Sequence, residues 1–142
     1  NELRDKLHAK ALLGDVDFQQ NLSRQEKQEF LRSLSVLTVP AQFGESFGFY
    51  VIEAMAAGVP VVQPHCASFP ELIEVTGGGI TYEPTDRETL TITLEKFLCD
   101  LGKARKLGQV GREAVHEKFS IDFMAQKVAS LFKEISSAKT SA

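Results

Sequence analysis

Apolar residues recur along this chain in two alternating patterns, which predict short buried strands separated by helices. Leu3, Leu7 and Ala11 recur every four residues and the run stops at Gly14, which predicts a helix ended by a glycine cap. Later runs with helical spacing predict five more helices, marked by Phe30, Leu31 and Leu34, by residues 49–57, by Leu90, Leu94, Phe97 and Leu98, by Leu101, Ala104, Leu107 and Val115, and by Met124, Val128, Leu131, Phe132 and Ile135. Short β-rich stretches predict strands at residues 16–19, 35–39, 61–63 and 80–82, of which 35–39 should be covered on both faces.

Helix starts and stops are marked by short polar signals. A Ser or Thr followed three residues later by Glu predicts a capping box, and this pattern occurs at Ser23, Ser68 and Thr85. The Ser68 box predicts a further short helix that runs through Glu74. Gly58 and Pro60 close the helix over residues 49–57, and the tail 136–142 is small and polar, so it is expected to fray.

Strands that alternate with helices predict an α/β fold, a Rossmann-like parallel sheet with helices on both faces. Ligands of such sheets bind in the loops that follow the carboxyl ends of the strands. Three loops meet this condition, at residues 20–22, 40–48 and 64–68.

Composition and charge remove several classes of function. The 142 residues are 43% apolar and 25% charged with a net charge of −3, which is typical of a folded domain and unlike a disordered chain. A mildly acidic chain without a Lys/Arg run gives no electrostatic footprint for nucleic acid or an anionic membrane, and no apolar stretch is long enough to span a bilayer. Cys66 and Cys99 lack zinc-site spacing, so they are interpreted as reduced, buried thiols in a cytoplasmic protein.

The stretch from Glu45 to Pro60 carries the strongest indication of chemistry. Glu53 lies in a predicted helix whose other residues are nearly all apolar, and a carboxylate in such surroundings needs a partner. Gly44 and Gly48 let the backbone approach a bound group, and the free N–H groups of residues 47–50 would face an anion such as phosphate. Taken by themselves, these residues fit a ligand site and a solvated carboxylate beside a glycine turn equally well.

The same stretch resembles a known enzyme signature. Glu45 and Glu53, eight residues apart with Phe47-Gly48 between them and Glu53-Ala54-Met55-Ala56-Ala57-Gly58-Val59-Pro60 after, are similar to the E-x7-E motif of retaining GT-B glycosyltransferases of the glycogen-synthase-like and mannosyltransferase-like family. The likeness runs from about Asp15 to Phe119. It implies a fragment of the C-terminal donor-binding domain over residues 1–142, which lacks its first strands.

The resemblance also implies roles for individual residues. Glu45 would contact a hydroxyl of the donor sugar and support charge at the anomeric centre, which makes it the predicted catalytic residue. Glu53 would accept hydrogen bonds from the two ribose hydroxyls. Backbone N–H groups of Phe47, Gly48 and Phe49, with neighbouring Ser46, would bind the donor sugar and its β-phosphate. Residues 20–22 would lie near the nucleobase.

Several positions depart from the family pattern. Gln20 stands in place of a usual glycine and Ala41 in place of a usual serine, which affects the base side of the site. His65 is interpreted as a solvated loop residue and Glu71 as part of the Ser68 cap. The Arg/Lys pair that would bind the diphosphate, the first two strands and the acceptor-binding N-terminal domain would all precede Asn1, so the chain alone is expected to be inactive.

The sequence therefore predicts the donor-binding part of a hexosyltransferase that uses a nucleotide diphosphate sugar, with no metal ion or other cofactor. Expected partners are this donor and the N-terminal domain of the same protein, which would be cytoplasmic or peripheral to a membrane. An epimerase of the same fold and a receiver-type interaction module are the alternatives. A dinucleotide-binding domain would need G-x-G-x-x-G between a strand and a helix, whereas Gly77, Gly78 and Gly79 precede a strand. Because the sheet would have a gap or an unpaired edge, the chain is predicted either to self-associate or to pack residues 1–34 loosely against the rest.

Overall fold

The computed structural model describes residues 2–41 and 45–140 of the chain and contains a three-stranded parallel sheet surrounded by helices. The helices are α1 (Glu2–Ala9), α2 (Arg24–Ser33), α3 (Phe49–Ala56), α4 (Phe69–Thr76), α5 (Arg87–Cys99), α6 (Leu101–Lys118) and α7 (Ile121–Thr140). The strands are β1 (Leu37–Thr38), β2 (Val61–Pro64) and β3 (Gly79–Tyr82), and they lie in the order β1-β2-β3. The predicted α/β fold with a parallel sheet is confirmed.

The sheet is organised around β2, which is buried along its whole length. Leu37 pairs with Val61 on one side, and Val61 pairs with Gly79 on the other. Each strand is followed by a helix, so every connection is a parallel crossover. The short edge strand β1 is only half-buried, so the expectation that residues 35–39 are covered on both faces was wrong.

The core lies between the sheet and the helices α3, α4 and α6. Its largest fully buried apolar side chains are Phe69, Met55, Val51 and Val61. Gly111 of α6 lies against Gly78, with no side chain between the two backbones. The side chain of Met55 packs beside both glycines. The glycines of α6 therefore let this helix pack directly on the loop that precedes β3.

Two expectations at the start of the chain were wrong. Helix α1 ends at Ala9, and Ala11, at φ 56°, takes the left-handed conformation that had been expected near Gly14. Residues 16–19 form no strand, because no strand of the described chain lies beside them to complete the hydrogen bonds. The prediction of self-association depends on an unpaired sheet edge, and in this structure that edge is β1. Self-association itself stays a prediction.

The remaining predicted elements are present with small differences. The last helix continues to Thr140, so the tail does not fray before that residue, and Ser141 and Ala142 lie outside the described residues. Cys99 was expected to be buried, yet it is exposed, as is its neighbour Leu98. Helix α7 also exposes its apolar stripe, with Ile121 at 80% and Phe132 at 67% exposure.

Only one of the three predicted capping boxes forms. At Ser23 both reciprocal bonds with Glu26 are present, as predicted. At Ser68 there is no side-chain cap, because its hydroxyl donates to the carbonyl of Glu45 instead. At the start of α5 the cap is Asp86, one residue after the predicted Thr85, and its carboxylate accepts from the N–H groups of Glu88 and Thr89.

Candidate functional site

The loop that leads into α3 is anchored from the neighbouring helix α4. The hydroxyl of Ser68 donates to the carbonyl oxygen of Glu45 at 3.0 Å, and the Ser68 N–H donates to the same oxygen at 3.5 Å. Glu45 itself is half-buried. Of the glycines predicted to shape this loop, Gly44 lies outside the described residues.

Gly48 fixes the geometry at the start of α3. It is the residue before the helix and takes a left-handed conformation with φ 78°, which a side chain would make unfavourable. A Cβ atom here would also lie 3.1 Å from the ring of Phe69. The carbonyl of Gly48 accepts from the N–H of Val51, so the first-turn N–H groups that precede Val51 remain directed out of the helix. The local geometry is thus that of an anion-binding helix start.

Aromatic side chains flank this helix start. The rings of Phe47 and Phe49 lie 4.8 Å apart, and the ring of Phe119, at the end of α6, lies 6.4 Å from Phe47. Phe49 is 72% exposed although it is large and apolar. Ser46 lies in the same loop and is exposed. An exposed aromatic pair beside free backbone amides offers both an apolar surface and hydrogen-bond donors to a ligand.

Glu53 forms an ion pair with a residue of another helix. Its Oε1 accepts from Nζ of Lys27 at 2.6 Å, and the two side chains retain 43% and 45% of their exposure. Lys27 belongs to α2, and Glu53 belongs to the second turn of α3. Lys27 bonds one oxygen of the carboxylate. Because the pair lies at the surface, the rest of the carboxylate stays accessible to a ligand.

The Lys27–Glu53 pair borders a basic groove between α2, α3 and α6, with a volume of about 570 Å³. Its ionisable lining residues are Arg24, Lys27, Arg32, Arg112, His116 and Glu53. Basic side chains thus dominate the groove, although the whole chain carries a net charge of −3. No run of basic residues in the sequence predicts this cluster, because its members come from three helices. The one local signal is that Arg24, Lys27 and Gln28 are spaced three and four apart on one face of α2.

Two tyrosines lie near the candidate site with altered acidity. Burial raises the pKa of Tyr50 above its ordinary value, and the nearby carboxylate of Glu45 and thiol of Cys66 add to this effect. Burial also raises the pKa of Tyr82, with a further contribution from Cys66. Both phenols therefore stay protonated at neutral pH and remain available as hydrogen-bond donors.

The end of β2 carries two polar residues beside this site. His65 is exposed as predicted, yet its Nδ1 lies 3.0 Å from the Thr81 hydroxyl, so it is bonded as well as solvated. Gln63 is fully buried, and neither its Nε2 nor its Oε1 has a hydrogen-bond partner among the described residues.

The predicted site residues Glu45, Ser46, Phe47, Gly48 and Phe49 lie together at the start of α3, and Glu53 lies one turn further on. Glu71 is exposed on α4, without the cap that was expected to explain it.

Comparison with known proteins identifies the family of the chain. The family model described as "Glycosyl transferases group 1" matches residues 1–114. An MMP alpha-(1->4)-mannosyltransferase of Mycolicibacterium hassiacum is 30% identical over 132 residues, which cover 92% of this chain and 32% of that protein. The chain therefore belongs to the group 1 glycosyl transferase family, and the receiver-type alternative is set aside.

Two solved structures share the fold. Sucrose-phosphate synthase from Thermosynechococcus elongatus superposes with a TM-score of 0.82 at 26% identity, over 96% of this chain and 34% of that one. Anabaena HepE, solved in complex with UDP, superposes with a TM-score of 0.81 at 20% identity, over 94% of this chain and 36% of that one. These neighbours confirm the Rossmann-like, GT-B type of architecture.

The chain spans a third or less of the length of the curated relatives it matches, for example 27% and 32% of two of them. Among residues 2–41 and 45–140, no helix has the length and apolar character that crossing a bilayer requires. The same residues contain no group of three His, Cys, Asp or Glu side chains arranged to hold a metal ion.

Proposed function

We propose that this chain is the donor-binding domain of a glycosyltransferase that transfers a hexose from a nucleotide diphosphate sugar to a saccharide or lipid-linked acceptor, with retention of anomeric configuration. The observation that carries the proposal is the start of α3. There the left-handed Gly48 leaves first-turn amides open to an anion, with the Glu53 carboxylate one turn along the same helix. A diphosphate at the amides would place a ribose near Glu53, since one helical turn rises by about 5.4 Å.

Three residue roles follow from this proposal. Amides of Phe47, Gly48 and Phe49 bind the β-phosphate and donor sugar, with Ser46 beside them. Glu53 accepts hydrogen bonds from the ribose hydroxyls. Glu45 contacts the transferred sugar and supports the positive charge that develops at its anomeric carbon. The anchoring of the Glu45 carbonyl by Ser68 supports this role, because it limits the motion of the loop that carries the carboxylate.

The exposed stripe on α7 supports a second part of the proposal. Met124 and Leu131 are 61% and 56% exposed and lie on the same face as Ile121 and Phe132. A stripe of large apolar side chains in water is unfavourable unless another surface covers it. We propose that a further domain of the full-length protein covers the stripe on α7. This domain would bind the acceptor and complete the catalytic site.

Nucleotide binding tests the proposal directly. In calorimetric titrations of the full-length gene product with UDP, GDP and ADP, one nucleotide is expected to bind with higher affinity than the other two. Glu53→Gln removes a charged acceptor, which costs about 1.5–3 kcal/mol, or on the order of tenfold to a hundredfold in affinity. Glu74→Gln is the control, because Glu74 is an exposed glutamate on α4. If none of the three nucleotides binds, the proposal is wrong.

The transfer step is tested separately. Glu45→Ala is expected to lower kcat more than it weakens binding of the free nucleotide, since the transition state needs charge support that the nucleotide does not. Equal losses would show that Glu45 only maintains the loop. The anomeric configuration of the product, read by NMR, tests retention. Because the family resemblance implies a reaction without a metal ion, EDTA is expected to leave the rate unchanged.

A further inference from the structure

Lys27 is the group closest to the carboxylate that the proposed function assigns to ribose. Nζ of Lys27 donates to Oε1 of Glu53 at 2.6 Å, across 26 positions of sequence. No local rule joins these residues, because they lie on different helices. The contact exists because α2 and α3 pack side by side, with Lys27 in the first turn of α2 and Glu53 in the second turn of α3.

A carboxylate has two oxygen atoms with about four lone-pair directions, so one ammonium group does not saturate it. Lys27 occupies Oε1, and Oε2 and the remaining lone pairs can accept from a pair of hydroxyl groups. A free Glu side chain at a surface samples several rotamers, and a ligand that uses it must bear the entropy of fixing it. The ion pair fixes the rotamer before the ligand arrives.

We infer that Lys27 is a positioning residue for nucleotide recognition: its ammonium group holds the Glu53 carboxylate in the orientation that accepts the ribose diol. This inference deepens the proposed function and depends on it. It predicts that the contribution of the two ribose hydroxyls to affinity requires Lys27. Lys27 would also attract the diphosphate through space, an effect that does not involve the diol. The experiment therefore has to separate these two contributions.

A thermodynamic cycle separates them. Affinities of the full-length gene product are measured by calorimetry for UDP, GDP and ADP and for their 2′,3′-dideoxy counterparts. The ratio of the two affinities for each base reports the diol alone. Lys27→Met is expected to lower this ratio roughly three- to fivefold, the upper range for an exposed ion pair. Lys27→Arg retains the cation and should restore most of the ratio.

Arg24→Met is the matched control. Arg24 lies one turn away on α2 and lines the same groove, and no hydrogen bond or ion pair of its side chain to Glu53 is observed in the described residues. Its removal should weaken ribo- and dideoxynucleotides by the same factor, since it changes only the general attraction for phosphate. The ratio is then unchanged.

The possible outcomes distinguish the role of Lys27 from that of Glu53. If Lys27→Met leaves the ratio as it was, or raises it, Lys27 does not position Glu53 and the inference is overturned. If Glu53→Gln lowers the ratio in the same protein, the proposed role of Glu53 survives that result. If the unaltered protein binds ribo- and dideoxynucleotides equally, the assignment of Glu53 to ribose fails, and the inference fails with it.

Discussion

Replacing Gly108 with alanine would test whether α6 packs by direct backbone contact on the segment that joins α3 to β2. Gly108 is buried in α6 and faces the segment between α3 and β2. A Cβ atom at this position would overlap the carbonyl oxygen of Gly58, and it would lie 2.9 Å from the carbonyl carbon of that residue and 3.0 Å from Cδ of Pro60. These neighbours are backbone and ring atoms, so they cannot rotate away as a flexible side chain could.

The size of the effect follows from two opposed contributions. Alanine is a better helix former than glycine by about 0.8–1.0 kcal/mol, which by itself would stabilise α6. Overpacking against rigid atoms costs about 1–3 kcal/mol and occasionally more, and this contact is at the severe end. We therefore expect a net loss of about 2 kcal/mol in the free energy of unfolding. In a domain of this size that loss corresponds to a fall in Tm of roughly 8 °C.

The chain contains its own control for this substitution. Gly102 lies in the same helix, but a Cβ atom there would meet only Oδ1 of Asp100 at 3.5 Å, an ordinary contact. Gly102→Ala should therefore be neutral or stabilising by up to about 1 kcal/mol. Urea unfolding followed by circular dichroism measures both variants. If Gly108→Ala is as stable as Gly102→Ala, α6 does not pack on Gly58 as described.

Two further predictions concern the site and the first helix cap. Gly48→Ala should destabilise the chain by about 1–2 kcal/mol through its left-handed backbone and should weaken nucleotide binding, whereas Gly14→Ala, with nothing within 4 Å of the added atom, should change neither measurement. The hydroxyl and amide of Ser23 lower the pKa of Glu26 below its ordinary 4.5, so folding favours the ionised carboxyl. The resulting stabilisation is present above pH 4.5 and is lost as the pH falls through the lowered pKa. Ser23→Ala should reduce this loss, and urea midpoints at a series of pH values would show whether it does.

Identical sequence patterns had different outcomes in this fold. Ser23 and Glu26 form their capping box because both partners lie within one turn and nothing else competes for them. Ser68 and Glu71 have the same spacing, but the Ser68 hydroxyl is used by the Glu45 carbonyl, 23 residues away in sequence. Near Thr85, the adjacent Asp86 offers a carboxylate that accepts from two N–H groups. A local pattern is therefore decisive only where no stronger partner is near.

The strands also show that a local sequence pattern does not by itself decide the structure. Residues 16–19 have the composition of a strand, but a strand exists only where a neighbour accepts its hydrogen bonds, and the described chain provides none there. By contrast, residues 61–63 were predicted correctly, and β2 runs on to Pro64 between β1 and β3. The Gln63 amide of this strand, which has no hydrogen-bond partner in the part of the chain that the structure describes, was not anticipated from the sequence.

The sequence by itself determined the order of helices and strands from α2 onward, the parallel sheet, the family and the loop that leads into α3. These follow from periodicity, glycine and proline positions and one dense motif, all of which act over a few residues. Only the tertiary structure decided that Lys27 is the partner of Glu53, that basic residues of three helices share one groove, and that Ser68 supports Glu45. The physical reason is that these contacts join residues far apart in the chain, and their partners are fixed only when the helices have packed.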